Sequence, residues 1–177
     1  RRGRGEEHRR SMAVRLRLAL EELGPTFVKL GQVLSTRPDL LPPAFVHELA
    51  KLQDQVPPFP FDQVREQLEW ELGKPLDEAF AWFDPQPLAA ASLGQVHLAR
   101  LPDGADVVVK VQRPGIEETI ATDLEILFDA ARLAQERTPL GELYPLQEMA
   151  KDFAATLQGE LDYRREGRNA ERFAKSF

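Results

Sequence analysis

The chain has 177 residues, of which 42% are hydrophobic, with no cysteine and only three histidines. That length suffices for one domain, or one plus an extension, around a real core. The missing cysteines exclude a disulfide scaffold and a thiolate metal site, and three scattered histidines argue against zinc or haem. The net charge of −6 is uneven: residues 1–17 carry seven arginines against two glutamates, a local +5, which leaves −11 for the remainder. An acidic body of this kind disfavours nucleic acid. The basic end reads as a solvated leader, with anionic lipid headgroups as the alternative contact. No apolar run approaches the ~20 residues needed to span a bilayer, and no signal-peptide stretch follows RRGRGEEHRR. The segment is therefore expected to be soluble as it stands.

In chain order, SMAVRLRLALEEL at 11–23 suits an amphipathic helix that stops at Gly24-Pro25, after which Thr26 is placed to cap the next helix. That second helix, within TFVKLGQVLSTRPDLLP at 26–42, carries Phe27, Val28, Leu30, Val33 and Leu34 and is expected to be largely buried. Lys29 and Gln32 stand three residues apart on one face of it, and Gly31 between them leaves room for a close approach by backbone or ligand. Pro42-Pro43 starts AFVHELAKLQDQ, and after PPFPF the stretch DQVREQLEWELG closes at Gly73. Residues 1–74 thus form a helical extension.

From Pro75 the period changes to short β-prone runs, AFAWF, QVHLARL and ADVVVKV, with Pro102-Asp103-Gly104 as the hairpin turn between the last two. An antiparallel sheet of at least three strands is expected. Alternation in 107–112 puts Val107, Val109 and Val111 on one face, and Val108, Lys110 and Gln112 on the other. A lysine in so apolar a run needs a counter-charge or a way out to solvent, and edge-strand protection is its commonest use. Helical periodicity returns after Arg113-Pro114-Gly115, in 116–137 and again from Leu146 to Phe177. The spacings Glu160/Arg164 and Asp162/Arg165 are those of ordinary surface ion pairs.

Four ordered stretches, TFVKLGQVLSTRPDLLP with LQDQVPP, AAASLGQVHLA at 89–99, VVVKVQRPG at 107–115 and ELDYRREGRNAERF at 160–173, resemble the UbiB family of atypical protein-kinase-like proteins from about Leu20 onward. The resemblance implies an α+β fold: a kinase-like small lobe over 75–177 behind the helical extension 1–74 with its Lys-x-Gly-Gln motif. It also implies an N-terminal part only, because the catalytic-loop Asp and Asn and the Asp-Phe-Gly-type motif do not appear before Phe177; the large lobe is expected to be absent.

By the same resemblance, Lys110 corresponds to the third-strand lysine that holds the α and β phosphates, with Glu166 as its acidic partner. Ala89, Ala90, Ala91, Ser92, Gly94 and Gln95 occupy the place of the glycine-rich loop and, with Lys110, would hold the nucleotide. Methyl groups there limit how closely backbone wraps phosphate, and Gly94 stands where many relatives have alanine. Lys29, Gln32, Glu160 and Asp162 complete the implied catalytic set. On a regular helix Glu160 and Asp162 point to nearly opposite sides, so the three acids cannot all face one ligand.

The expected cofactor is ATP or ADP with magnesium, whose ligands would lie in the large lobe; no metal ligand is assigned to this chain. The implied function is that of an atypical kinase-like ATPase or phosphotransferase supporting isoprenoid-quinone (ubiquinone) biosynthesis, with the isolated segment inactive by itself. Expected partners are adenine nucleotide and, beyond it, membrane lipid or quinone-biosynthesis enzymes, at the cytoplasmic surface of the inner membrane through further C-terminal segments. The alternatives are a noncatalytic scaffold that recruits lipids or partner enzymes, and an inactive remnant.

Overall fold

The computed structural model describes residues 2–53, 56–164 and 167, with side chains from Arg10 onward. It divides into two compact units, residues 1–114 and 115–177.

The first unit opens with three mutually packed helices, α1 (Arg2–Leu23), α2 (Pro25–Ser35) and α3 (Pro43–Leu49). Leu20, Phe27, Leu49 and Leu52 form their core, each worth about 1.5–3 kcal/mol of transfer free energy. Thr26 does not cap α2 as expected. Pro25 takes the first helical position, the Gly24 carbonyl accepts from the amides of Phe27 and Val28 at 3.1 and 3.0 Å, and Thr26 is buried. Gly24 has φ 106°, a left-handed conformation that a side chain would resist. The room at Gly31 is taken by protein: a Cβ there would run into the Leu52 side chain and approach Leu20 Cδ1 to 2.9 Å.

One charge is buried among these helices. Glu48 lies 3% exposed on α3, paired with Lys51 and, at 3.4 Å, with Arg17 of α1. The hydrogen bond from Lys51 does most to hold its carboxyl below the usual glutamate range, with Arg17 adding to the effect and desolvation opposing it.

Helix α4 (Phe61–Leu72) stops at Gly73, whose φ of 67° provides the left-handed stop. The expected strand AFAWF is shortened, because Pro75 starts a helical turn, α5 (Leu76–Ala79), whose first amide is bonded by the Glu69 carboxylate at 2.9 Å. Only β1 (Trp82–Phe83) remains of it. With β2 (Ala89–Ala90), β3 (Gly94–Arg100) and β4 (Asp106–Gln112) it makes a four-stranded antiparallel sheet. The long strand β3 is central: β4 pairs along one side of it, and β1 and β2 share the other, Phe83 opposite Ala99 and Ala90 opposite Gln95. The Pro-Asp-Gly turn joins β3 to β4 as expected, with Gly104 at φ 90° and Asp103 accepting from the Ala105 amide.

Helix α4 covers one face of the sheet, packing Phe59, Val64, Leu68 and Leu76 around Val111. Buried hydrogen bonds fix this face. Gln95 accepts from the Phe59 amide at 2.9 Å and donates to the Phe59 carbonyl at 3.2 Å, and its amide nitrogen is 3.0 Å from His97 Nε2. That nitrogen can only donate, so His97 Nε2 accepts, and Nδ1–H donates to the Asp84 carbonyl at 2.8 Å.

The second unit contains α6 (Ile116–Arg137), α7 (Leu140–Leu143) and α8 (Leu146–Leu161), with α6 packed on α8. Unlike the continuous helix expected from Leu146 onward, α8 ends at Leu161. Asp162 leaves the helical region with ψ 76°, and helical backbone resumes at Tyr163. Aspartate competes for backbone hydrogen bonds and favours such junctions.

Replacing Gly31→Ala overfills the α1–α2–α3 core and lowers unfolding free energy by about 1–3 kcal/mol, read by urea denaturation. Since Glu48 titrates lower when folded, its contribution is complete above the unfolded value of ~4.3 and is lost as pH falls through the depressed folded value. As pH falls from ~4.3 towards the depressed folded value, melting temperature drops more steeply for wild type than for Glu48→Gln.

Candidate functional site

The face of the sheet turned away from α4 is built by strand alternation. Lys110 pairs with Val96, and Val96 with Ala89, while Val108 pairs with Leu98; directly opposed residues lie on the same side. The result is an apolar strip, Ala89, Val96, Leu98 and Val108, with one cationic end at Lys110. Val108 is 61% and Leu98 39% exposed, high values for β-branched and leucine side chains in a central hairpin. At the other end Arg100 and Asp106 pair at 2.7 Å, which raises the guanidinium pKa and lowers that of the carboxyl through their mutual hydrogen bond. That pair neutralises itself, and Lys110 lies ~13 Å farther along β4.

Above this strip the alanine-rich segment makes a tight turn. Ala89 and Ala90 belong to β2, Gly94 begins β3 opposite Gln112, and the Ala91 amide donates to the Gly94 carbonyl at 2.8 Å. Gly94 does not use the left-handed backbone that only glycine readily adopts. Ser92 is buried. Gln95, grouped with the turn in the sequence reading, faces the other side of the sheet, where its amide is occupied by the Phe59 backbone.

The other nominated residues are distributed as follows. Lys29 and Gln32 are half-buried on α2 within the three-helix packing, and Gln32 donates to the Leu52 carbonyl at 3.4 Å. Glu160, in the last turn of α8, and Asp162, just beyond its end, belong to the second unit. Since the helix breaks at Asp162, the regular-helix angle between these two acids does not apply. Glu166 lies outside the described residues. Among the described residues no group of histidine, aspartate or glutamate is placed to hold a metal ion, and no helix is long and apolar enough to cross a membrane.

One residue the sequence did not point to is central. Arg113, directly after β4, donates from Nε to the Ser92 carbonyl at 3.2 Å and from Nη2 to the carbonyls of Ala91 at 3.3 Å and Pro57 at 3.0 Å, with its guanidinium 5.2 Å from the Phe59 ring centroid. Burial pushes its pKa down. Its partners lie between 21 and 56 residues away along the chain, so no local pattern announces them.

A short antiparallel sheet with a lysine at the end of an open apolar face, under a small-residue turn, defines a kinase-like small lobe. Residues 51–177 match the ABC1 atypical kinase-like domain, and the chain belongs to that family. It is 51% identical over 164 residues to a protein of Marinobacter nauticus named "Probable protein kinase UbiB", and 49% identical over 165 to one of the same name from Azotobacter vinelandii. These matches take in 92% and 93% of this chain but 30% and 31% of those relatives. A solved structure titled as the Rv3197–erythromycin complex from Mycobacterium tuberculosis superposes with a TM-score of 0.60 at 32% identity, covering 98% of this chain and 44% of that one. The α+β fold and the UbiB-like assignment expected from the motifs both hold.

The two faces of β4 predict opposite sensitivities. Val108→Glu on the open face costs under about 1 kcal/mol, whereas Val111→Glu, at a site 2% exposed, costs more than about 3 kcal/mol; guanidinium unfolding of both variants checks the assignment.

Proposed function

We propose that this chain is the nucleotide-gripping part of an atypical kinase-like ATPase or phosphotransferase that supports ubiquinone-type quinone biosynthesis. One observation carries the reading: Lys110 stands at one end of the apolar strip Ala89, Val96, Leu98 and Val108 on the open sheet face, beside the turn formed by Ala89 to Gly94. A flat adenine ring suits the apolar strip of Val96, Leu98 and Val108, and a phosphate suits the ammonium group at its end. The turn lies where the phosphates would pass, and its methyl groups keep the backbone farther from them than glycines would.

In this reading Glu166 pairs with Lys110, Lys29 and Gln32 belong to a helical element that restricts access to the nucleotide, and Glu160 and Asp162 supply acidic groups to the same reaction. ATP or ADP is the ligand, with magnesium supplying charge neutralisation of the phosphates when bound. No ligand set for the metal occurs among the described residues. The reading also takes in an anionic membrane surface, reached through further C-terminal segments, where quinone-pathway enzymes and lipids are the partners.

The test is nucleotide affinity of the full-length protein, by calorimetry or a fluorescent ATP analogue. Lys110→Met weakens binding about ten- to a hundredfold while leaving the melting temperature unchanged, because the side chain is exposed. Unaltered affinity in this variant would remove the reading.

A further inference from the structure

The structure assigns Arg113 as a positioning residue that sets the alanine-rich turn for nucleotide by clamping its carbonyl groups against the 57–59 segment. This assignment rests on the nucleotide reading above and deepens it. The guanidinium is a rigid planar fork, and here it is spent entirely on backbone and ring: Ala91 and Ser92 carbonyls on one side, the Pro57 carbonyl on the other, and the Phe59 ring beneath. The Arg113 amide adds a fourth bond, to the Leu93 carbonyl at 2.8 Å. Three consecutive carbonyls of the turn, at residues 91, 92 and 93, are therefore held by one residue.

Two consequences follow from peptide geometry and burial. Because a trans peptide sets its C=O and the next N–H antiparallel, turning the Ala91 and Ser92 carbonyls toward Arg113 directs the amides of Ser92 and Leu93 away from it. Arg113 thus decides which way the turn's backbone dipoles point, which is the property that matters to a bound anion. Among the described residues the groups that meet this half-buried cation are carbonyl oxygens and the Phe59 ring, so relaxing the clamp gives up hydrogen bonds to a charged donor. Pro57 and Phe59 also connect the turn to the buried Gln95 side chain, since both backbone groups of Phe59 bond to its amide. The turn is fixed to the side of the sheet that carries α4, while its other side stays with the open face.

A lysine at position 113 keeps the charge but cannot reach three carbonyls from one plane, so Arg113→Lys separates clamp from charge. The experiment uses the full-length protein, wild type and Arg113→Lys, with hydrogen exchange over residues 89–95 and 57–60 and affinity for MgATP and MgADP measured side by side. The expected result is faster exchange confined to those two segments, unchanged exchange in the β3–β4 hairpin, and affinity lowered about tenfold. Faster exchange with wild-type affinity would overturn the assignment, as would unchanged exchange; so would faster exchange spread across the whole first unit, which marks a purely structural role. Failure of the wild-type protein to bind either nucleotide would instead overturn the functional reading and the nucleotide role of the clamp with it, while exchange at 89–95 would still report whether the clamp exists.

Discussion

The architecture of the first unit depends on how β3 satisfies its buried side. A central strand in so small a sheet must bury one face, and here that face carries two polar side chains, Gln95 and His97, at 1% and 0% exposure. Their cost is met by a closed set of bonds: Gln95 takes both backbone groups of Phe59, and His97 bridges Gln95 to the Asp84 carbonyl. Each of these groups, if left unbonded, would cost about 1–3 kcal/mol. The segment leading into α4 is therefore held on the sheet by directional contacts, and Phe61 and Phe83 then pack beside His97 at centroid separations of 6.3 and 5.2 Å, with Phe80 against Phe83 at 5.4 Å. With one face closed in this way, the other is left to Lys110 and its apolar neighbours.

Much of this was legible in the sequence because the signals were local. The valine alternation in 107–112 places Lys110 and Val111 on opposite faces correctly, and the Pro-Asp-Gly turn lies where it was expected, while the sheet starts at Trp82 rather than near residue 75 because Pro75 begins α5. What escaped was non-local or depended on a competing local preference. Gln95 sits in a run of small residues and looks like part of a ligand loop; its actual partner is 36 residues away. Arg113 looks like punctuation before Pro-Gly. Thr26 has the right chemistry for a cap, but Pro25 is better placed for the first turn. Asp162 reads as one more residue of a helix until its own tendency to terminate it is weighed.

The Lys-x-Gly-Gln helix illustrates how a motif can be structural and functional at once. Gly31 is required by Leu20 and Leu52, which fill the space a side chain would need, and Gln32 is tied to the Leu52 carbonyl. The helix is less buried than its apolar residues led one to expect: Thr26, Phe27 and Gly31 are buried, Val33 is 40% exposed, and Lys29 lies half-buried on it. The chain spans about 30% of the length of the UbiB-named relatives it matches.

Finally, β1 and β2 are two-residue fragments laid end to end along one edge of β3, separated by residues 84–88. A seven-residue strand such as β4 releases its partner only in a cooperative event, whereas two paired residues open at a small fraction of that cost. The alanine-rich turn is therefore joined to the sheet by a two-residue pairing and a few neighbouring backbone bonds on one side and by the Arg113 side chain on the other. Opening of those few bonds would leave the β3–β4 hairpin, which does not include them, paired along its whole length.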